Sequence, residues 1–402
     1  MATYYVSTDR GDDADNGTSE ATPKATLAAT IALGTSDGDI VEIIDEGSYN
    51  EGDLQIQAEI TVQHTASSLG RPKIYGTGLG GNDAVRAFDS EDIGPILKGL
   101  EIYGYSGKIF QSTARKGIEI EDCFIHDVPQ LINNTLIGVA DNPNIIKQSI
   151  LFFEPAGAQA INNGVDDTNG WLQIENCLIT SSNTSGDNPI IYDYSNHGTA
   201  SFCTIINRGA TDKSTIVLSK VINCYVSASD GYGIASDDRT YNTVCVEYAG
   251  ADKAFRNKDD DSDGAAGAGE QAITDAQSYA GFVAGRDIGD ADDISDSFQL
   301  TSLSLAIDAG TAYNNIFVDF EDIVRPCRGY DVGCFEYTTD WSEYTAEPKS
   351  SFDNGLAIQS NANLSSNHKF KYCSFNRQAP FSLGVKGPAN LRGRTTAYKV
   401  ER

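Results

Sequence analysis

The sequence predicts an all-β fold, a single-stranded parallel β-helix, and three observations predict it. Short strand-like segments recur at a regular spacing, Gly, Asn and Asp turns separate them with almost no helix signal, and five of the eight cysteines share one phase of the repeat. Each unit is too short to bury its own apolar face, so successive units must stack as parallel strands to make a continuous core.

The elements follow in chain order. Residues 24–33, Lys-Ala-Thr-Leu-Ala-Ala-Thr-Ile-Ala-Leu, form the one good amphipathic helix pattern of the first third. The open end of a coil needs its core covered, so a short capping helix is expected there and residues 1–38 read as an N-terminal cap. Residues 38–51 are an apolar strand followed by a turn, and the 213 residues from Asp39 to Ala251 hold roughly nine or ten turns of the coil. The clearest units are 118–125 around Cys123, 145–151 around Ser149, 172–179 around Cys177, 200–206 around Cys203, 220–226 around Cys224 and 241–246 around Cys245. Their anchors are 26, 28, 26, 21 and 21 residues apart. Leucine-rich repeats share this period, but their Leu-x-x-Leu-x-Leu pattern is missing.

With strands stacked about 4.8 Å apart, cysteines in one phase make an interior ladder of small, reduced, polarisable side chains. A disulfide framework would join different faces, and no C-x-x-C spacing points to zinc. Cys327 and Cys334 lie seven residues apart in a Gly-rich stretch, a pair that an oxidising environment would join.

The formal charge of −28 excludes a general binder of nucleic acid or anionic membrane, which needs a basic footprint. No run approaches the roughly 18 apolar residues of a membrane span. The N-terminus, Met-Ala-Thr-Tyr-Tyr-Val, lacks the basic-then-apolar layout of a secretory leader. The charge is divided. Residues 338–402 carry nine basic and five acidic side chains, a net of +4, against −32 for the preceding 337 residues. Either this basic segment folds back on its own acidic body, or it attaches the chain to an acidic neighbour through Lys369, Lys371, Arg377, Lys386, Arg392 and Arg394.

Several stretches resemble the pectin-lyase-like right-handed parallel β-helix proteins. At the N-terminal end these are Tyr4-Tyr-Val with Asp12, Asn16-Gly-Thr18, Pro23-Lys-Ala-Thr-Leu27, Gly38-Asp-Ile-Val and Gly47-Ser-Tyr-Asn. Downstream, residues 263–269, 298–300, 304–310 and 325–336 resemble the closing turns of a subgroup found in bacterial surface proteins and in phage tail and virion proteins. The resemblance covers about residues 3–337 and implies a right-handed coil there, with irregular closing turns and residues 338–402 as a separate attachment or oligomerisation segment. It implies no single chemistry, because this architecture hosts lyases, hydrolases, adhesins and inert fibres. Surface members usually start with a secretion signal, so the expectation is a virion-type structural protein: a tailspike, fibre or capsid-surface decoration. It would be displayed outward, likened to trimeric assemblies, partnered by virion or sister subunits and in contact with host-surface glycan. The alternative is a polysaccharide hydrolase or lyase.

Asp167 and Asp193 each lie ten residues before a cysteine anchor. Equal phase in adjacent turns would set the carboxylates about 5 Å apart, the separation of a retaining glycosidase pair; the other reading is a solvated acidic face. Asp259, Asp261, Asp263, Gly264 and Glu270 match the D-x-D-x-D-G-x5-E spacing of a calcium loop, although no convincing helix precedes it. His126-Asp127 is the one adjacent His–acid pair, read as a surface or turn histidine. Lys147, Arg208, Lys213 and Lys220 do not share a phase, which counts against lyase chemistry. Tyr103, Tyr105, Trp171, Tyr192, Tyr194 and Tyr232 fall in turn regions, where they would stack on sugar rings or cover strand edges and protomer contacts.

Overall fold

The computed structural model winds the chain into a parallel β-helix of three sheets. It describes residues 1–34, 36–56, 58–64, 70–77, 79, 83–87, 94–112, 117–132, 143–153, 159–163, 171–181, 189–193, 197–207, 215–227, 233–236, 240–241, 243–247, 255–257, 271–274, 299–311, 319 and 330–337. Among these, the first sheet has ten strands, from Thr3–Val6 to Thr240–Tyr241, and the second has nine, from Leu54–Ile56 to Phe255–Asn257. The third has ten, from Ser48–Asn50 to Gln271–Thr274. Neighbours in each sheet are parallel and come from successive turns of the chain.

The period-2 alternation of each strand sorts its side chains in or out, and equal register stacks like on like. In the third sheet Tyr49, Ile74, Ile102, Ile125, Leu151, Ile179, Ile205 and Val226 form one buried interior column. Val41, Val62, Leu97, Ile120, Ile146, Ile174, Ala200 and Val221 do the same in the first. Burying one such branched side chain stabilises the fold by about 1.5–3 kcal/mol, so the columns carry the core. The outward positions of the first sheet hold charges in register: Gln63 donates to Glu42, Lys98 pairs with Glu121, and Lys147 lies 2.5 Å from Glu119.

The corner between first and third sheets explains the cysteines. The chain turns there through one residue in the left-handed region: Gly99, Asp122, Gln148, Asn176, Phe202 and Asn223, with φ between 46° and 71°. The residue that follows points inward, and Cys123, Cys177, Cys203 and Cys224 are all buried free thiols. Each thiol hydrogen-bonds a carbonyl two residues back (Glu121, Glu175, Ser201 and Ile222) at 3.2–3.3 Å. Ser149 reaches Lys147 O in the same way at 2.8 Å. From Cys123 to Cys224 the position thus holds a small side chain that can donate to the carbonyl two residues back. Cys245 is not on this column. Its backbone pairs with Val226, two residues past Cys224, and the residue in phase is buried Thr243. This turn is 19 residues long, not 21, because a cysteine two places on mimicked the anchor. Cys334 is buried, and Cys327 lies outside the described residues.

Thr3–Val6 is the outermost strand of the first sheet, pairing with Ile40–Ile43. The helix is shorter than expected, Leu27–Ile31, capped by Thr26, and buries Leu27, Thr30 and Ile31 in the main core. It packs on Leu54–Ile56, the end strand of the second sheet. Glu51 accepts from the Leu27 and Ala28 N–H groups at 2.7 Å each, so a carboxylate meets the helix N-terminus. Asp45 accepts from Ser7, Asp9, Gly47 and Tyr49. Part of the acidic excess is thus structural.

Residues 299–311 and 330–337, expected as closing turns, instead lie outside the third sheet. Leu300, Ala306, Val332, Cys334 and Phe335 share a second apolar cluster with the outward-facing Phe124, Ile150, Leu178, Ile206 and Tyr225. Asn223 fixes this closing segment, its side chain both accepting from Thr311 N (3.0 Å) and donating to Thr311 O (2.6 Å). No helix among the described residues is long and apolar enough to cross a membrane.

Candidate functional site

The carboxylate pair expected on one face is not assembled around Asp193. The residue in register with Asp193 in the preceding turn is Asn163, not Asp167, because the connections after the two strands differ in length. Asp193 points inward and is wholly buried. Its Oδ1 accepts from Asn163 Nδ2 (2.8 Å) and its Oδ2 from Gly198 N (2.7 Å). Asn163 Oδ1 in turn accepts from Asn144 Nδ2 (2.7 Å), and Asn144 Oδ1 from Ile118 N (3.2 Å). This is an interior polar ladder that ties together successive turns where the second sheet gives way to the first.

Asp167, Tyr194, Tyr232, the loop residues Asp259, Asp261, Asp263 and Glu270, and the basic residues Lys369, Lys371, Arg377, Lys386, Arg392 and Arg394 lie outside the described residues. Among the described residues no group of three or more His, Cys, Asp or Glu side chains is placed to hold a metal ion. Trp171 is half-buried with its ring stacked on His197, centroids 4.6 Å apart and planes 8° apart. Tyr192 stands half-buried on the outer side of the second sheet, between Asn162 and Val217 in register. Tyr105 is buried and donates to Glu51 O, and burial followed by the charge of the Glu51 carboxylate raises its pKa. Lys147 falls in the column that continues to Ile222 while Lys220 falls in the neighbouring one, so these two cations indeed differ in phase.

The surface group that the structure does assemble lies on the outer face of the third sheet, below the part covered by the closing segment. Tyr75, Tyr103 and His126 are in register on successive strands and stack at 5.6 Å and 4.9 Å, with Phe124 4.4 Å from the His126 ring. Beside them His126 Nε2 lies 3.2 Å from Glu101 Oε1 and Nδ1 lies 2.9 Å from Asp127 Oδ2, while Lys73 Nζ is 3.6 Å from Glu101. Burial works against the Glu101 carboxylate, but His126 and Lys73 outweigh it and hold its pKa below the ordinary value. The stacked faces cover one another, so solvent meets chiefly ring edges and polar groups.

Sequence reasoning named Tyr103 and the His126-Asp127 pair but did not join them. The signal was present in the triplets Lys73-Ile-Tyr75, Glu101-Ile-Tyr103 and Phe124-Ile-His126, each with an inward Ile flanked by outward residues.

No family model and no curated protein matches the chain. Among solved structures it is similar to pectate lyase Pel9A, at 15% identity and a TM-score of 0.43, covering 84% of this chain and 97% of that one. It is also similar to the GH136 lacto-N-biosidase from Eubacterium ramulus, at 11% identity and a TM-score of 0.31, covering 68% and 67%. Likeness at this level carries nothing about activity or ligand.

Proposed function

We propose that this chain is a structural β-helix of the virion type, a tailspike, fibre or capsid-surface decoration displayed outward, held through residues 338–402 and touching host-surface glycan along its sides. The observation that favours this reading over a sugar-cleaving one is Asp193: the described member of the candidate carboxylate pair is buried and bonded to Asn163 and Gly198. The division of charge supports the anchoring role, a basic segment of net +4 following a body of net −32. Sister copies, as in a homotrimer, or other particle subunits are the partners this implies.

Two measurements test it. The chain ended after Tyr337 is expected to lose co-assembly with particle or sister subunits, and retained assembly overturns the anchoring role. A broad panel of surface polysaccharides is expected to bind without release of reducing ends or unsaturated uronates. Release that Asp167→Asn abolishes would establish a hydrolase or lyase instead.

A further inference from the structure

His126 sits at a break in strand register. Phe124 and Ile125 pair with Ile150 and Leu151, but the next pair is Val128 with Phe153, so the strand bulges. Asp127 takes up the bulge with φ of 52°, and its carboxylate meets Nδ1 of the neighbouring ring. From the strand of the preceding turn, Glu101 meets Nε2 and Tyr103 stacks on the ring. Lys73 faces Glu101 from one turn further back, and Tyr75 continues the stack. The His126 side chain is 13% exposed.

A neutral imidazole carries a single N–H, whereas an ionised carboxylate only accepts. With a carboxylate at each nitrogen, the neutral ring donates to one and sets a lone pair against the other. The imidazolium donates to both. We propose that His126 is a proton-operated clamp that, when charged, ties the bulge at Asp127 to the strand Glu101–Tyr103, and when neutral lets one of them go. The one released is Asp127, which is 52% exposed and can turn to water, while Glu101 at 17% keeps Lys73 as well. Phe124, on the same strand and against the same ring, belongs to the apolar cluster that seats the closing segment. Acidification therefore tightens the bulge and, through Phe124, the closing segment over the third sheet.

The sign follows from the bonds: the charged ring donates to both carboxylates and the neutral ring to one, so low pH closes the clamp and high pH opens it. The test is hydrogen exchange read by mass spectrometry on the full chain at pH 5.5 and 8.0, corrected for the intrinsic pH dependence of exchange. Protection of residues 124–128 and 299–311 is expected to fall roughly three- to tenfold at the higher pH. In His126→Gln, and more weakly in Asp127→Asn, the difference should vanish or shrink. Nitrogen-15 spectra of the unaltered protein give a reading independent of any variant: the His126 ring should pass from two protonated nitrogens to one across the interval in which protection falls. Equal protection at both pH values, an unchanged difference in His126→Gln, or a ring whose proton count does not follow protection would overturn the clamp.

Discussion

Replacing Asn163 by Leu probes the interior polar ladder directly. Asn163 is wholly buried, accepts from Asn144 at 2.7 Å and donates to Asp193 at 2.8 Å. Leucine is of similar volume but removes both bonds, leaving the Asn144 amide without this acceptor and Asp193 Oδ1 without this donor. Each buried polar group deprived of a partner costs about 1–3 kcal/mol, so the two together cost about 2–6 kcal/mol. Burial of the leucine returns about 1.5–3 kcal/mol, for a net loss of about 2 kcal/mol. With a urea m-value of about 3 kcal/mol/M, the midpoint should fall by about 0.7 M. Trp171 is a local reporter, since its carbonyl accepts from Asn144 N at 2.8 Å, and its fluorescence follows the transition. A companion change, Asn163→Asp, sets a second carboxylate against Asp193. One of the two must then hold a proton, so this variant should regain stability as pH falls. A midpoint for Asn163→Leu within about 0.2 M of the unaltered protein, the scale of a surface change, would refute the reasoning that the ladder ties the turns together.

Three further expectations follow from the same geometry. Gly99 turns the corner at φ of 71°, and an added Cβ would lie 2.6 Å from His64 O, so Gly99→Ala should cost about 1–3 kcal/mol in the same denaturation assay; a neutral result would contradict the corner geometry. Burial raises the Cys123 thiol to about 12 and, together with Cys203, the Cys177 and Cys224 thiols well above the ordinary value; at Cys203 burial is outweighed by hydrogen bonds with Cys177 and Cys224, which hold it well below, yet all four side chains are shielded from reagent. These four should resist alkylation at pH 8 in the folded chain and react on unfolding, as mapped by mass spectrometry; rapid native labelling would remove them from the interior. Burial works against the Asp45 carboxylate, but bonds from Ser7, Asp9, Tyr49 and Gly47 outweigh it and lower its pKa from 3.8. Its contribution is complete above that ordinary value and lost as pH falls through the lower folded one, so Asp45→Asn should flatten the fall in melting temperature below pH 4, and an unaltered slope would count against it.

Much of this architecture was legible in the chain because it repeats. An inward apolar residue between outward polar ones, then a small residue at a corner, recurs in Glu119-Ile-Glu121 before Cys123 and Leu172-Gln-Ile-Glu175 before Cys177. Each copy reports the same local environment, so one misread anchor, Cys245 for Thr243, left the coil intact. The phase of Asp193 was less legible for the opposite reason: counting back from the next corner assumes connections of equal length, and the register instead sets Asn163 beside Asp193.

Alternation along a strand and the demands of a left-handed corner act within a few residues, and so the order of residues alone dictates the coil, its buried aliphatic columns and its line of thiols. Which residues face each other from one turn to the next depends on interstrand hydrogen bonds and on how much chain each connection consumes. Long-range packing therefore decides that Asp193 meets Asn163 and that residues 299–311 and 330–337 return to cover the third sheet. Contacts between segments tens of residues apart in the chain leave no periodic trace, because nothing local in either segment records its partner.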